Sequence, residues 1–143
     1  MFLVHFKGVY FLTQKLLPLI ADGGGIVCLS SGLARFSLPG YSAYASMKGT
    51  IEVLTRYLAK ELGPQRIRAN ALGAIETDFT KGGFDAHPEV RGVIAAQTAL
   101  GRVGQPEDIG GVVAFLCSEE GGTGSGWRLG GGYFCEPGRS GDF

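Results

Sequence analysis

The 143-residue sequence has no excess of either charge, because 13 lysine and arginine residues balance 13 aspartate and glutamate residues. A chain without net charge creates no long-range field toward nucleic acid or an anionic membrane surface, so we expect neither as a partner. A small molecule is the better expectation. Length and a hydrophobic content of 45% suffice for one buried core, and we predict a single globular unit.

Cysteine is also scarce, with only Cys28, Cys117 and Cys135 in the sequence. Their number is odd, they lie far apart, and no CxxC or cysteine/histidine spacing occurs among them. This pattern argues against a disulfide framework and against a zinc site. We therefore expect reduced thiols, no metal site and a cytoplasmic protein.

A long uninterrupted apolar run is missing as well. The first twenty residues, MFLVHFKGVYFLTQKLLPLI, are apolar, but His5, Lys7, Gln14 and Lys15 interrupt them. These interruptions argue against a membrane span and against the core of a signal peptide. Apolar residues would cover most of the circumference of a helix over 2–20, which predicts a buried helix.

Two segments bounded by glycine predict strands. The run IVCL at 26–29 does not alternate, which predicts a strand buried on both faces and hence a parallel, central one. The segment RIRANAL at 66–72 is a weaker strand prediction. Residues 42–62 between them carry apolar side chains at helical spacing and stop at Gly63-Pro64, which predicts a helix and a βαβ crossover.

The remaining chain continues the alternation of helix and strand. Residues 77–100 are polar at first and then helical in pattern, and Gln105-Pro106-Glu107-Asp108 opens a helix with proline at its first position. A strand is predicted around 127–129, and 137–143 are expected to be disordered. The alternation predicts an α/β, Rossmann-like fold over 1–136, a partial doubly wound parallel sheet with flanking helices.

The carboxyl ends of parallel strands are where such folds bind ligands, here Ser30-Ser31-Gly32 and residues 73–77. Tyr44 and Lys48 lie four residues apart on one face of the following helix. A lysine ammonium about 4 Å from a phenol, at an effective dielectric near 20, favours the phenolate by about 4 kcal/mol. Tyr44 can then exchange a proton with a carbonyl or alcohol, and the Ser31 hydroxyl can hydrogen-bond the same oxygen.

Each of these features is weak alone, since Ser-Ser-Gly is usually a turn and Tyr-x-x-x-Lys is often a solvated helix face. Together, the string IVCLSSGLARFSLPGYSAYASMKGTIEVLTRYLAKELGPQRIRAN resembles the catalytic core of the short-chain dehydrogenase/reductase family. That family has a serine thirteen residues before the tyrosine and a lysine four residues after it. Ser31, Tyr44 and Lys48 match this spacing, and Ser30 does not.

The strings GAIETDF and LGRVGQPEDIGGVVAFLCSE extend the resemblance, which runs from about residue 4 to about residue 132. It implies the C-terminal catalytic half of an oxidoreductase that uses NAD or NADP and acts on a carbonyl or alcohol. Tyr44 would be the general acid/base. Lys48 would favour its phenolate and bind the nicotinamide ribose, and Ser31 would bind the substrate oxygen. The further cofactor contacts implied are Tyr44 itself, Gly73, Ile75 and Thr77.

Three features depart from the family pattern. No glycine-rich fingerprint follows a first strand, so we expect a relative truncated at its N-terminus. His5 stands where the family has an asparagine in an N-x-x-G setting, and it is either a proton relay or a partly buried histidine without a catalytic role. The loop after the second strand lacks Pro-Gly and is two residues shorter, which would displace Ile75 and Thr77 by several Å at about 3.3 Å per extended residue.

Three functions follow from this sequence. The first is an active oxidoreductase, with or without a partner chain that completes the cofactor site. The second is a catalytically inactive fragment that associates with full-length relatives, and the third is a nucleotide-binding regulator. Helices over 2–20 and 42–62 would form the homo-oligomeric or hetero-oligomeric interface, as the family resemblance implies. The substrate and the choice between NAD and NADP cannot be read from this sequence.

Overall fold

The structure is a computed structural model, and it describes residues 1–72, 88–96, 101–121 and 128–129. The predictions for Gly73, Ile75 and Thr77, for Cys135 and for the tail at 137–143 lie outside these residues. The described helices and strands are, in chain order, α1 Gly8–Leu16, β1 Gly25–Leu29, α2 Ser42–Glu61, β2 Arg68–Leu72, α3 Pro88–Ala96, α4 Glu107–Cys117 and β3 Arg128–Leu129.

The three strands form one parallel sheet in the order β1-β2-β3. The register pairs Gly25 with Arg68 at one end of β1 and Leu29 with Leu72 at the other, while Leu72 also pairs with Leu129. The chain crosses from β1 to β2 through α2, which packs on β2. The predicted α/β, Rossmann-like fold with its βαβ crossover is therefore confirmed.

The prediction that β1 is the central strand, buried on both faces, is wrong for the described sheet. All five residues of β2 are buried, although two of them are the polar Arg68 and Asn70, whereas β1 lies at the edge and Leu29 is 64% exposed. An apolar run indicates that a strand tends to be covered, but it does not specify which strands lie beside it. The position of a strand within a sheet depends on tertiary packing, and here the core cluster forms between α2 and β2.

The prediction of one buried helix over 2–20 is also wrong. The segment divides into a π-helical turn Leu3–Lys7, the helix α1 and a 3-10 turn Leu17–Leu19, and none of the three contains a buried residue. The large exposed apolar side chains of residues 1–20, which we call the N-terminal apolar surface, are Met1, Phe2, Leu3, Val4, Tyr10, Phe11, Leu12, Leu16 and Leu19. The apolar pattern indicates a surface suited to burial, but the described residues do not cover it.

The helix predicted over 42–62 is confirmed. α2 spans Ser42–Glu61 and is followed by a 3-10 turn Gly63–Gln65 that contains Pro64. The helix predicted to open at Pro106 begins one residue later, at Glu107, with Pro106 already in helical dihedral angles. Over the described ranges, no helix combines the length and the apolar character that crossing a membrane requires.

Candidate active site

The segment after β1 carries the two predicted serines, and both are buried. The Ser30 amide donates to the Leu72 carbonyl oxygen at 2.6 Å, which extends the pairing of β1 with β2 by one residue. Ser31 precedes a 3-10 turn Gly32–Ala34, and its hydroxyl oxygen accepts a hydrogen bond from the Leu33 amide at 3.3 Å. Ser31 therefore lies at the carboxyl end of the sheet, as the sequence predicts.

Tyr44 and Lys48 lie in the first two turns of α2, beside the end of β1. The Lys48 ammonium donates from Nζ to the Leu29 carbonyl oxygen at 2.9 Å. The same Nζ lies 5.7 Å from the centroid of the Tyr44 ring, within the range of a cation–π interaction. Lys48 therefore contacts both the tyrosine that precedes it by one turn and the strand end that leads to Ser31.

His5 joins this group from the π-helical turn before α1. Its ring meets the Tyr44 ring edge to face, with centroids 5.4 Å apart and an angle of 87° between the planes. The turn closes through a hydrogen bond from the Gly8 amide to the Leu3 carbonyl oxygen, and a Cβ at Gly8 would lie only 3.0 Å from that oxygen. Single π-helical turns often occur at functional sites, and this one carries His5.

Burial shifts the pKa of Lys48 and of His5, and neighbouring positive charge adds to the shift of His5. Burial lowers the pKa of Lys48, and the neighbouring Cys28 offsets this in part. Loss of solvent and then the positive charge of Lys48 lower the pKa of His5 below the ordinary 6.5 of a histidine. His5 is therefore neutral near pH 7 and has a ring nitrogen that can accept a proton.

Beneath Lys48 lies a buried thiol, that of Cys28. Burial raises the pKa of this thiol, while a hydrogen bond with Thr55 and the charge of Lys48 act in the opposite direction. Cys28 and Cys117 are both free cysteines. The described residues contain no group of three or more histidine, cysteine, aspartate or glutamate side chains arranged to hold a metal ion.

Sequence reasoning missed Glu52, a buried carboxylate one turn beyond Lys48 on α2. Its Oε1 accepts a hydrogen bond from the Ser30 hydroxyl at 2.9 Å, and its Oε2 accepts one from Arg35 Nε at 3.3 Å. The available signal was spacing, because Glu52 continues the four-residue interval of Tyr44 and Lys48 on a helix face that turns toward the core. Its partners Ser30 and Arg35, however, lie 22 and 17 positions earlier in the sequence, so no local pattern indicates them.

The structure therefore brings Tyr44, Lys48 and His5 into one cluster, with Lys48 bound to the strand end that precedes Ser31. Gly73, Ile75 and Thr77 lie outside the described residues, but they follow β2 directly. An ammonium has three N–H bonds, of which the Leu29 carbonyl accepts one, so Lys48 retains donors suited to the hydroxyl groups of a ligand. The arrangement can hold a hydroxyl-bearing ligand beside the Tyr44 ring.

Comparison with known proteins finds matches over most of the chain. The family model described as "Enoyl-(Acyl carrier protein) reductase" matches residues 1–133. The chain is 37% identical over 139 residues to the (3R)-3-hydroxyacyl-CoA dehydrogenase of Mus musculus, covering 92% of this chain and 52% of that protein. It therefore spans about half the length of the curated relatives it matches.

Solved structures show the same likeness. A short-chain dehydrogenase/reductase, glucose/ribitol dehydrogenase, from Brucella melitensis superposes with a TM-score of 0.76 at 31% identity, over 89% of this chain and 51% of that one. The angucycline C-6 ketoreductase LanV with bound NADP superposes with a TM-score of 0.77 at 34% identity, over 90% of this chain and 49% of that one.

Proposed function

Because this chain belongs to the short-chain dehydrogenase/reductase family, we propose that it is an oxidoreductase that interconverts a carbonyl and an alcohol with a nicotinamide cofactor. The observation that carries the proposal is the position of Lys48, whose Nζ lies 2.9 Å from the Leu29 carbonyl oxygen and 5.7 Å from the Tyr44 ring centroid. This contact joins the proposed general acid/base to the strand end that leads to Ser31.

In this proposal Tyr44 is the general acid/base. During reduction, the Tyr44 hydroxyl donates its proton to the carbonyl oxygen of the substrate, and the resulting phenolate is stabilised by the positive charge of Lys48. The Ser31 hydroxyl donates a hydrogen bond to the same oxygen and fixes its orientation. In oxidation the proton moves in the opposite direction.

A nicotinamide cofactor supplies the hydride in such a reaction. Lys48 fits the ribose of that cofactor, because its half-buried ammonium has N–H groups beyond the one bonded to Leu29 and lies beside Tyr44. Gly73, Ile75 and Thr77 are proposed as further contacts on the strength of the family resemblance. LanV was solved with bound NADP, which supports a nicotinamide cofactor here, either NAD or NADP.

His5 is proposed to pass protons between the Lys48 and Tyr44 pair and solvent. Three observations support this role: the edge-to-face contact with Tyr44, the lowered pKa that keeps the ring neutral, and the partial exposure of His5. A neutral imidazole can accept a proton on one nitrogen and release another from the second nitrogen. The relay would restore the protonated form of Tyr44 after each reduction.

The N-terminal apolar surface favours a second function, association with another polypeptide without turnover. Phe2, Leu12 and Leu19 are 52%, 60% and 78% exposed, and exposed apolar patches of this kind mark interaction sites. We propose that the segments 2–20 and 42–62 contact a second copy or a longer relative. Catalysis and association are compatible if the assembly completes the cofactor site.

Turnover tests the first function most simply. The full chain is incubated with NADH or NADPH and a panel of small ketones and aldehydes, and nicotinamide absorbance is followed. The Tyr44→Phe variant should lose about a hundredfold or more of the rate, because it lacks the proton that the substrate oxygen receives. Tyr41→Phe is the matched control, since Tyr41 is exposed and has Ala45 where Tyr44 has Lys48. Equal rates for Tyr44→Phe and the wild type would exclude Tyr44 as the acid.

A further inference from the structure

The segment Ser30 to Arg35, which carries Ser31, is held against α2 at two points by one carboxylate. Ser30 donates from its hydroxyl to Glu52 Oε1 at 2.9 Å, and Arg35 donates from Nε to Glu52 Oε2 at 3.3 Å. One donor lies immediately before Ser31 in sequence, and the other lies four residues after it. The two oxygens of a single side chain therefore fix both ends of the segment.

The two attachments differ in burial. The Glu52 side chain is 8% exposed and Ser30 is equally buried, while the Arg35 side chain is 51% exposed. A hydrogen bond to a buried carboxylate is charge-assisted, and its loss leaves a buried charge without its partner. The exposed ion pair with Arg35 is screened by solvent and contributes less. The bond from Ser30 is therefore the stronger attachment.

Glu52 shares a helix face with the proposed catalytic residues of α2. Tyr44, Lys48 and Glu52 follow one another at intervals of four residues, which places them on one side of a continuous helix. The Ser30 hydroxyl also lies 3.3 Å from the Lys48 carbonyl oxygen, so the segment contacts the helix backbone at the same turn. A rigid helix thus sets the distance from the held segment to Tyr44.

We propose that Glu52 is a positioning residue for Ser31. Its carboxylate holds the segment Ser30 to Arg35 so that the Ser31 hydroxyl faces the substrate oxygen that Tyr44 protonates. The kinetic part of this inference rests on the proposed function. A buried carboxylate adds little to the free energy of unfolding, because the cost of removing it from water offsets most of its attraction to its partners. Fixing the geometry of the segment is the effect that its two hydrogen bonds have in common.

Amide hydrogen exchange, followed by NMR on the full chain, tests the geometry without any turnover. The Leu33 amide donates to the Ser31 hydroxyl, and the Ala34 amide donates to the Ser31 carbonyl oxygen. Glu52→Gln keeps the size of the side chain but has only one oxygen that can accept. We expect the amides of Leu33 and Ala34 to exchange about tenfold faster in this variant, with the exchange of α2 amides unchanged.

Glu61→Gln is the matched control, because Glu61 is an exposed carboxylate at the end of the same helix. Unchanged exchange at Leu33 and Ala34 in Glu52→Gln would overturn the proposal. A uniform acceleration over the whole chain would overturn it too, because Glu52 would then support the fold in general. If Glu52→Gln does not fold, Ser30→Ala removes the stronger attachment from the other side and is expected to give the same local acceleration.

A double-mutant cycle tests whether Glu52 acts through Ser31. In the wild-type background, Glu52→Gln should lower kcat about tenfold and leave the KM for the cofactor unchanged, because a small displacement of Ser31 affects the chemical step. In the Ser31→Ala background, Glu52→Gln should have no further effect. An equal loss in both backgrounds would contradict action through Ser31. A wild-type chain without turnover would contradict the proposed function instead, and the exchange experiment would still decide the positioning.

Discussion

Lys48 donates from its ammonium to the main-chain carbonyl oxygen of Leu29 at 2.9 Å and so joins the second turn of α2 to the end of β1. The ammonium is thereby held beside the Tyr44 ring and next to the strand that leads into Ser30 and Ser31. The four-residue spacing predicted that Lys48 lies on the same helix face as Tyr44. The hydrogen bond to Leu29 was not predicted, because a main-chain carbonyl is present in every residue and gives no sequence signal.

Replacing Lys48 tests this relationship first. Lys48→Met keeps the length of the side chain and removes the charge and the donor, so the rate of carbonyl reduction should fall about a hundredfold or more. The loss follows because the phenolate that forms when Tyr44 gives up its proton has no positive neighbour in this variant. Steady-state kinetics measures the rate. Lys60→Met is the control, since Lys60 is exposed in the last turn of the same helix, and a full loss in that variant as well would argue against a specific role for Lys48.

The second prediction concerns the protonation of His5. Its folded-state pKa is lowered from 6.5, by loss of solvent first and by Lys48 second, so the unfolded chain binds this proton more tightly than the folded chain does. The contribution of His5 to stability is therefore present above pH 6.5 and decreases as the pH falls through 6.5 toward the folded-state pKa. NMR titration of the imidazole, with His87→Gln for assignment, measures the folded pKa directly. A folded-state pKa above 6.5 would contradict the placement of His5 beside Lys48. In the Lys48→Met variant the pKa of His5 should be higher than in the wild type, because the positive charge is gone.

A third prediction concerns the ion pair between Arg102 and Asp108 at the start of α4. Arg102 donates to both oxygens of Asp108 at 2.6 and 2.9 Å, and the Gln105 amide donates to Asp108 at 2.8 Å. These bonds lower the pKa of Asp108 from 3.8 to about 2, with the Arg102 hydrogen bonds as the largest cause. The stabilisation is present above pH 3.8 and is lost as the pH falls through about 2.

Asp108→Asn should therefore lower the thermal midpoint at neutral pH. It should also flatten the decline of stability between about pH 4 and about pH 2, the range in which Asp108 takes up its proton. Thermal unfolding followed by circular dichroism measures this. Glu107→Gln changes an exposed carboxylate in the same first turn and should behave like the wild type. Identical acid profiles for Asp108→Asn and the wild type would show that the ion pair does not contribute in solution.

A fourth prediction concerns the close approach of Gly121 to the centre of the sheet. A Cβ at this position would meet Arg68 Nη1 on β2 and would lie 2.8 Å from the Phe115 carbonyl oxygen. Gly121→Ala should therefore destabilise the chain by about 1–3 kcal/mol, as overpacking does. Gly111→Ala in α4 is the control, because its Cβ would meet nothing within 4 Å, and there alanine should stabilise the helix by up to about 1 kcal/mol. Urea denaturation of both variants decides between these signs.

The sequence predicted the features that depend on local signals. α2 was predictable because its apolar spacing and its stop at Gly63-Pro64 lie within one stretch of chain. The spacing of Tyr44 and Lys48 predicted their contact on one face of that helix. The features that it did not predict depend on distant residues. The edge position of β1 and the burial of Asn70 in β2 are set by neighbouring strands. The hydrogen bond between Glu52 and Ser30 joins residues 22 positions apart.

The N-terminal segment is a case in which a local signal led to a wrong prediction. Its apolar pattern predicted burial, and the described residues leave Leu3 and Leu12 66% and 60% exposed. Periodicity indicates which face of a segment tends to be covered, but the covering surface has to come from elsewhere in the fold or from another chain. His5 lies within this segment and still contacts Tyr44 on α2, so the segment is positioned at the site despite its exposure.

Binding of the reduced cofactor tests the central claim most directly. The full chain is titrated separately with NADH and NADPH while nicotinamide fluorescence is followed, and circular dichroism verifies that the chain is folded throughout. The account predicts saturable binding of at least one cofactor, weakened about tenfold or more in Lys48→Met by loss of a charged donor and unchanged in Lys60→Met. A folded chain that binds neither cofactor would contradict independent catalysis and would leave association through the N-terminal apolar surface as the function to pursue.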